Sequence, residues 1–306
     1  MIRVAILGPG RVGTTLALAL PRPAYEVVAV AGRGEAGLRA FRGRVPAAVA
    51  LPAEKAALQA DLVLVTVNDD ALTGLVRAVA AADGVAEGSR WVHTSGGHGH
   101  EVLEPVRLAG AAVAACHPAQ TFPDPDAGLA ALPGCSWAVT ANAEDLGWAR
   151  VLVTDLRGSP ITVETRNRTL YHAGLAVGSN ATASVVTFAR DLLLGAGVSD
   201  PNAFLGPLVT TSVRGAAAHG AAALTGPVRR GDVSTLDRHL EELSAVLPEA
   251  VEHYVALARM ALGQARRAGL DPKRADAVAR RLDDVRGHDA AGGPDPSREP
   301  EDTGEA

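Results

Sequence analysis

Arg3-Val4-Ala5-Ile6-Leu7 runs directly into Gly8-Pro9-Gly10-Arg11-Val12-Gly13 and then into Thr14 to Leu20, and this stretch decides the fold. The first five residues read as a strand and the last seven, small and aliphatic, as a helix. Between them the glycines fall at the spacing G-x-G-x-x-G. Each has a separate duty. Gly8 permits a tight turn, Gly10 lets the backbone approach a pyrophosphate, and Gly13 lets the helix pack closely on the sheet. Arg11 and Val12 complete the turn, and the positive helix N-terminus faces the phosphates. With 33 glycines in the chain the spacing alone is a weak signal; its place after a strand and ahead of a helix carries the reading. The alternative is a glycine-rich turn in an α/β protein that serves another ligand.

Outward from this turn the same rhythm continues. Continuous apolar runs at 25–31, 62–67, 90–94, 111–116 and 136–140 alternate with Ala/Leu-rich stretches of helical spacing. Strands that are apolar on both faces belong to a parallel sheet covered by helices on both sides. The fold class is therefore α/β, a doubly wound parallel Rossmann sheet, followed by an all-helical C-terminal domain. A last strand is expected at 161–164, and helices at 167–195, 201–218, 235–246, 248–267 and 272–286. The expected domains are 1–160, binding a dinucleotide, and 161–286, helical. Residues 287–306, rich in Gly, Pro, Asp and Glu, read as a disordered acidic tail.

Composition narrows the partners. The chain is 47% hydrophobic but only 3% aromatic, and its net charge of -5 argues against nucleic acid or an anionic membrane as partner. Two cysteines, Cys116 and Cys135, without CxxC spacing suit a reducing cytoplasm. No n-region precedes the first strand, and charge, Gly or Pro interrupts every apolar run before about 18 residues, so neither a signal peptide nor a membrane span is expected. No histidine or cysteine cluster has metal-ligand spacing.

The second strand ends in Ala31-Gly32-Arg33. An Asp or Glu here would hold the ribose hydroxyls of NAD, whereas Arg33 suits a 2′-phosphate; NADP(H) is the expected cofactor. In the alternative, Arg33 is a solvated loop cation and Glu35 takes the ribose. The third strand ends in Val67-Asn68-Asp69-Asp70. Val67 and Asn68 are placed beside the cofactor, and Asp70 is read as the cap of the next helix. Ser95, in His93-Thr94-Ser95-Gly96-Gly97, and His117, in Cys116-His117-Pro118, stand at further strand ends where a carboxylate or carbonyl would bind; plain turn chemistry and a satisfied histidine are the alternatives. On the first helix of the second half, His172 and Ser179 are seven residues apart and share a face, while Asn180 is rotated by ~80° from His172. His172 can act as general acid, or else is a core histidine. Arg229 and Arg230, in 224–232, can grip a carboxylate, or else the segment only shapes a turn in which Asp232 or Ser234 caps the next helix.

Taken together, GPGRVG, HTSG (93–96), HPAQTF (117–122), YHAGLAVGSN (171–180) and LTGPVRRGD (224–232) resemble the bacterial Rossmann-like proteins with a C-terminal DUF2520 domain, over about residues 1 to 286. The resemblance implies kinship with the 6-phosphogluconate dehydrogenase and ketopantoate reductase superfamily, and a helical domain that dimerises. The lysine that serves the β-hydroxy acid enzymes on the interdomain helix has no counterpart here, where His172 and Asn180 stand, and Asn68 replaces the proline usual in the DUF2520 pattern. The function expected is transfer of a hydride from NADPH to the ketone of a small carboxylated substrate, a ketopantoate-like 2-oxo acid. His172 donates the proton, Asn180 and Ser95 orient the substrate, His117 touches it, and Arg229 or Arg230 binds its carboxylate. An imine reductase or 3-hydroxy acid dehydrogenase on the same scaffold, and a non-catalytic dinucleotide sensor, are the alternatives.

Overall fold

The computed structural model describes residues 1–289. The chain divides into two compact units, Met1–Thr182 and the residues from Ala183 onward. The acidic tail expected over 287–306 lies outside the described residues beyond Asp289, and the last helix, Pro272–Asp289, takes in 287–289. No proline stops that helix at 286.

The first unit is built on eight strands: β1 (Ile2–Leu7), β2 (Tyr25–Ala31), β3 (Val49–Ala50), β4 (Leu62–Val65), β5 (Arg90–His93), β6 (Ala112–Pro118), β7 (Ser136–Ala141) and β8 (Ser159–Thr162). They form one sheet in the order β3-β2-β1-β4-β5-β6-β7-β8. Period-two alternation explains why their sequences are apolar throughout. Val4 and Ile6 enter one core with Leu16, Phe41 and Leu152, while Ala5 and Leu7 enter the other with Ala56, Leu72 and Val76. Each fully buried Val, Leu or Ile contributes about 1.5–3 kcal/mol. β3, two residues long, is too short for any periodic signal.

The sheet is mostly parallel, as expected, with one departure. β7 runs antiparallel to β6, so the sheet is not parallel throughout. The intervening helix Pro125–Ala131 lies against the helix Arg11–Ala19, where Thr15 Oγ1 donates to Pro125 O at 3.3 Å and a Cβ on Gly128 would come within 2.7 Å of Thr15 Oγ1. The chain then re-enters the sheet running the other way.

Two features of the topology position a site. The strand order reverses between β1 and β4, which opens a crevice at their carboxyl ends. The register aligns Leu7 with Val65, Val65 with His93 and His93 with Ala115. The segments that follow Leu7, Val65 and His93 therefore leave the sheet side by side, while β6 continues through His117 to Pro118 in its pairing with β7.

The first unit closes with the helix Arg168–Ala176 and a π-helical turn, Val177–Ala181. The division from the second unit falls one residue into the next helix, Thr182–Gly195. Pro201–His219, Gly226–Arg230, Val233–Val246, Ala250–Arg267 and Pro272–Asp289 follow. Leu236, Leu240, Val255, Leu262, Val278 and Leu282 form the second unit's core. Asp232 caps Val233–Val246, accepting from Thr235 N at 3.1 Å. Pro248 lies just ahead of its helix, whose N-cap is Glu249. Among the described residues no helix is long and apolar enough to cross a membrane.

Candidate active site

The glycine turn has the geometry its spacing requires. Gly8 has φ +113°, and a Cβ there would lie 2.7 Å from the carbonyl carbon of Thr66 and 2.8 Å from Val67 N. On Gly13 a Cβ would lie 2.3 Å from Gly8 O. Around the Cβ position of Gly10 there is open space. So two glycines are required by protein against protein, and the middle one leaves room for a ligand to approach the backbone. Gly10 is also the N-cap of the helix Arg11–Ala19, with no side chain capping the first turn. The amides of Arg11, Val12 and Gly13 stand at that positive end.

Two supports of the turn were not foreseen. Thr66 Oγ1 donates to Gly8 O at 2.7 Å, stitching the end of β4 to the turn after β1. A Cβ on Gly32 would come within 2.7 Å of Pro9 Cγ, so Gly32 makes room for the proline ring. Neighbouring Arg33 is exposed, with no salt-bridge partner among the described residues. Glu35, the rival for the ribose, pairs with Arg39 at 3.0 Å. Asn68 is the exposed N-cap of the helix Asp69–Ala81, but its side chain makes no cap hydrogen bond. Asp70, expected to cap this helix, is its second residue instead, because the helix starts two residues earlier than Ala71.

Beyond the turn lies a groove of about 800 Å³, lined among others by Arg11, His117, Gln120, His172, Ser179 and Asn180. A regular helix would turn Asn180 away from His172. The π turn Val177–Ala181 is wider and absorbs an extra residue, and both side chains line the same groove. His117 meets His172 edge to face, ring centroids 5.8 Å apart, and its Nδ1 is 2.9 Å from the Tyr171 hydroxyl. Gly96 brings its backbone against both imidazoles: a Cβ there would lie 2.5 Å from His172 Cδ2 and 3.0 Å from His117 Nε2. Burial, then the Arg168 cation, then His172, push His117 down to about 4, so it is neutral at pH 7.

Ser95 and His93 are a different kind of cluster. His93, fully buried, has Nε2 2.8 Å from Gly99 O while its Nδ1 accepts from Ser95 N at 3.2 Å. Desolvation pushes it down to about 3. The Ser95 hydroxyl is 3.0 Å from His98 Nδ1. Ser95 is thus engaged in its own loop and does not line the groove. Cys116 is wholly buried and its thiol is pushed up to about 12 by desolvation, which leaves it inert.

Arg168 was missed altogether. It is 1% exposed and donates to three backbone carbonyls, His98 at 2.8 Å, Ser95 at 3.0 Å and Ala138 at 3.2 Å. In sequence it is indistinguishable from its exposed neighbour Arg166. Its place one helical turn before His172 was the available signal.

Arg229 and Arg230 belong to the second unit, where they line a groove of about 530 Å³ with Thr225, Asp271 and Arg274. Arg229 donates to Ala268 O at 3.0 Å, and Arg230 lies 3.8 Å from Asp232.

Comparison with known proteins places this architecture. No curated protein matches the chain. Among solved structures, a Bacteroides fragilis protein described provisionally as an NADP oxidoreductase is 23% identical, with TM-score 0.72, covering 85% of this chain and 97% of its own. A variant of the Myxococcus stipitatus imine reductase in complex with NAD+ is 16% identical, with TM-score 0.62, covering 92% of this chain and 99% of its own. The Aspergillus terreus reductive aminase in complex with NADPH and ethyl-5-oxohexanoate is also 16% identical, with TM-score 0.57 and 94% of both chains covered. At these identities the likeness is one of fold. The family models are more specific: residues 1–118 match the Rossmann-like domain, and residues 135–261 match the domain of unknown function DUF2520. The chain thus carries a Rossmann-like domain followed by a DUF2520 domain.

Proposed function

We propose that the protein is an NADP(H)-dependent reductase acting on a C=O or C=N bond of a small substrate. The observation that carries this reading is the convergence of His117, His172 and Asn180 in one groove with Arg11, the first residue after the open Gly10. The residues fit the cofactor. Gly8, Gly10 and Gly13 clear a path for the pyrophosphate, the first-turn amides of Arg11 and Val12 face it, and Val67 and Asn68 border it. Arg33, exposed and unopposed by a carboxylate, takes the 2′-phosphate. When bound, NADPH supplies the hydride.

The chain's own residues do the rest. His172 donates the proton to the developing alkoxide or amine. His117, neutral and oriented by Tyr171, hydrogen-bonds the reacting group. Asn180 orients the substrate from the π turn. Arg11 is the cation that lines the groove, which favours a carboxylated substrate, and 2-oxo acids of the ketopantoate kind are the leading choice. Imines are the second reading, favoured by the apolar remainder of the lining, Ala119, Phe122, Pro123, Leu175 and Ala176. We further propose a homodimer. The helices Thr182–Gly195 and Pro201–His219 bury only Pro201 and Leu205, and Phe204 and Leu208 are more than 60% exposed.

Calorimetric titration with NADPH and NADH tests the cofactor: NADPH binds more tightly, and Arg33→Ala weakens it about tenfold or more while sparing NADH. Turnover is then measured on a panel of 2-oxo acids and cyclic imines. Tight NADPH binding without turnover of any panel member overturns the reductase reading and leaves a dinucleotide sensor.

A further inference from the structure

A cation taken out of water is normally matched by a carboxylate. Arg168 is not. Its donors go to the carbonyl oxygens of His98, Ser95 and Ala138, and its guanidinium lies 5.9 Å from the centroid of the Tyr171 ring. These contacts join the places that build the groove. Ser95 and His98 flank Gly96, the residue pressed against both imidazoles. Ala138 sits across the sheet from His117 in the β6–β7 pairing. Tyr171 carries the hydroxyl that meets His117.

We infer that Arg168 is a positioning residue that holds His117 in place and keeps it uncharged. The inference rests on reading this groove as the reducing site and concerns the imidazole that hydrogen-bonds the reacting group there. Burial acts first on His117; Arg168 adds its fixed charge behind Tyr171, the partner of His117, and the His172 ring lies 5.8 Å away. The groups facing His117 are Tyr171, His172 and Arg168 from the helix Arg168–Ala176, and the Gly96 backbone from the loop after β5. Asp69, from the helix Asp69–Ala81, is the acid that acts the other way; it is partly exposed and lies 3.9 Å from His98. Holding the loop and keeping His117 uncharged are therefore two effects of one buried charge.

The test is NMR titration of histidine-labelled full-length protein without substrate, with the two signals assigned through His117→Gln and His172→Gln. His117 is expected to stay neutral as pH falls until about 4. In Arg168→Met the His117 step moves up by about one pH unit or more, and in Arg168→Lys, which keeps the charge, it stays in place. Should Arg168→Met fail to fold by circular dichroism, Arg168→Gln, which removes the charge but keeps a donor for the loop carbonyls, is titrated in its place. A His117 step at the ordinary histidine value in the unchanged protein, or a folded charge-removing variant that leaves the step unmoved, overturns the inference. No turnover is needed, so a negative substrate panel leaves this result intact, and an unmoved His117 step leaves the reductase reading to be judged by its own assay.

Discussion

Two neighbouring strand ends carry almost the same chemistry and put it to opposite uses. After β5, His93, Ser95 and His98 form a closed set in which each imidazole or hydroxyl meets a group of the same loop. After β6, His117 joins His172 and Asn180 at the wall of a groove of about 800 Å³. Both sets contain histidines at the carboxyl edge of a parallel sheet, the place where ligands bind. What separates them is where they face: the first set is closed within its own loop, and the second borders open space. A buried group with its partners in place stabilises a loop; a group left facing open space can serve a substrate.

The largest effect that would break this comparison belongs to the open set. His172→Ala is expected to lower turnover by roughly 10²–10⁴-fold, since it removes the proposed general acid. NADPH affinity by calorimetry and the unfolding midpoint should stay near those of the parent protein. Unimpaired turnover would show that the open set is not the catalytic one. Next comes the closed set. His93→Ala leaves Gly99 O and Ser95 N without their buried partner and opens a cavity, and should cost about 2–4 kcal/mol in urea unfolding.

The pH dependence of stability sharpens the contrast further. His93 and His117 are held down to about 3 and about 4 in the folded chain, against an ordinary value of 6.5. Between those limits the unfolded chain binds more protons than the folded one, so stability rises with pH. The stabilisation is fully present above pH 6.5 and declines as pH falls toward 4, by up to about 1.4 kcal/mol per pH unit for each histidine. Urea unfolding of His117→Gln between pH 4 and 7 should lose that histidine's share of the slope while keeping the share of His93. A slope unchanged in the variant would mean that His117 does not titrate in this way. The smallest expected effect is that of Ser95→Ala. Its hydroxyl serves the closed loop, so about 1 kcal/mol of stability and a turnover within about threefold of the parent are expected. A large loss of turnover would move Ser95 from the closed set to the open one.

Much of this was legible in the residues because it depends on local rules. Gly8, Gly10 and Gly13 declare their duties by spacing, since a turn between strand and helix admits few solutions. The continuous apolar strands declared a sheet buried on both faces. Arg33 after β2 singled itself out by the absence of a carboxylate at that point. His172 and Asn180 were legible as candidates, but not as neighbours along one groove.

What tertiary structure alone decided are the matters that depend on a few polar contacts between distant segments. The antiparallel entry of β7, the π turn that brings Asn180 to the side of His172, and the engagement of Ser95 within its own loop have no signature in periodicity. Arg168 shows why. Its importance comes from three carbonyl oxygens contributed by residues 95, 98 and 138, which are brought together only when the sheet and the helix have packed. Hydrophobic pattern is repeated along the chain and survives local variation, whereas the fate of one buried charge depends on where every neighbour ends up.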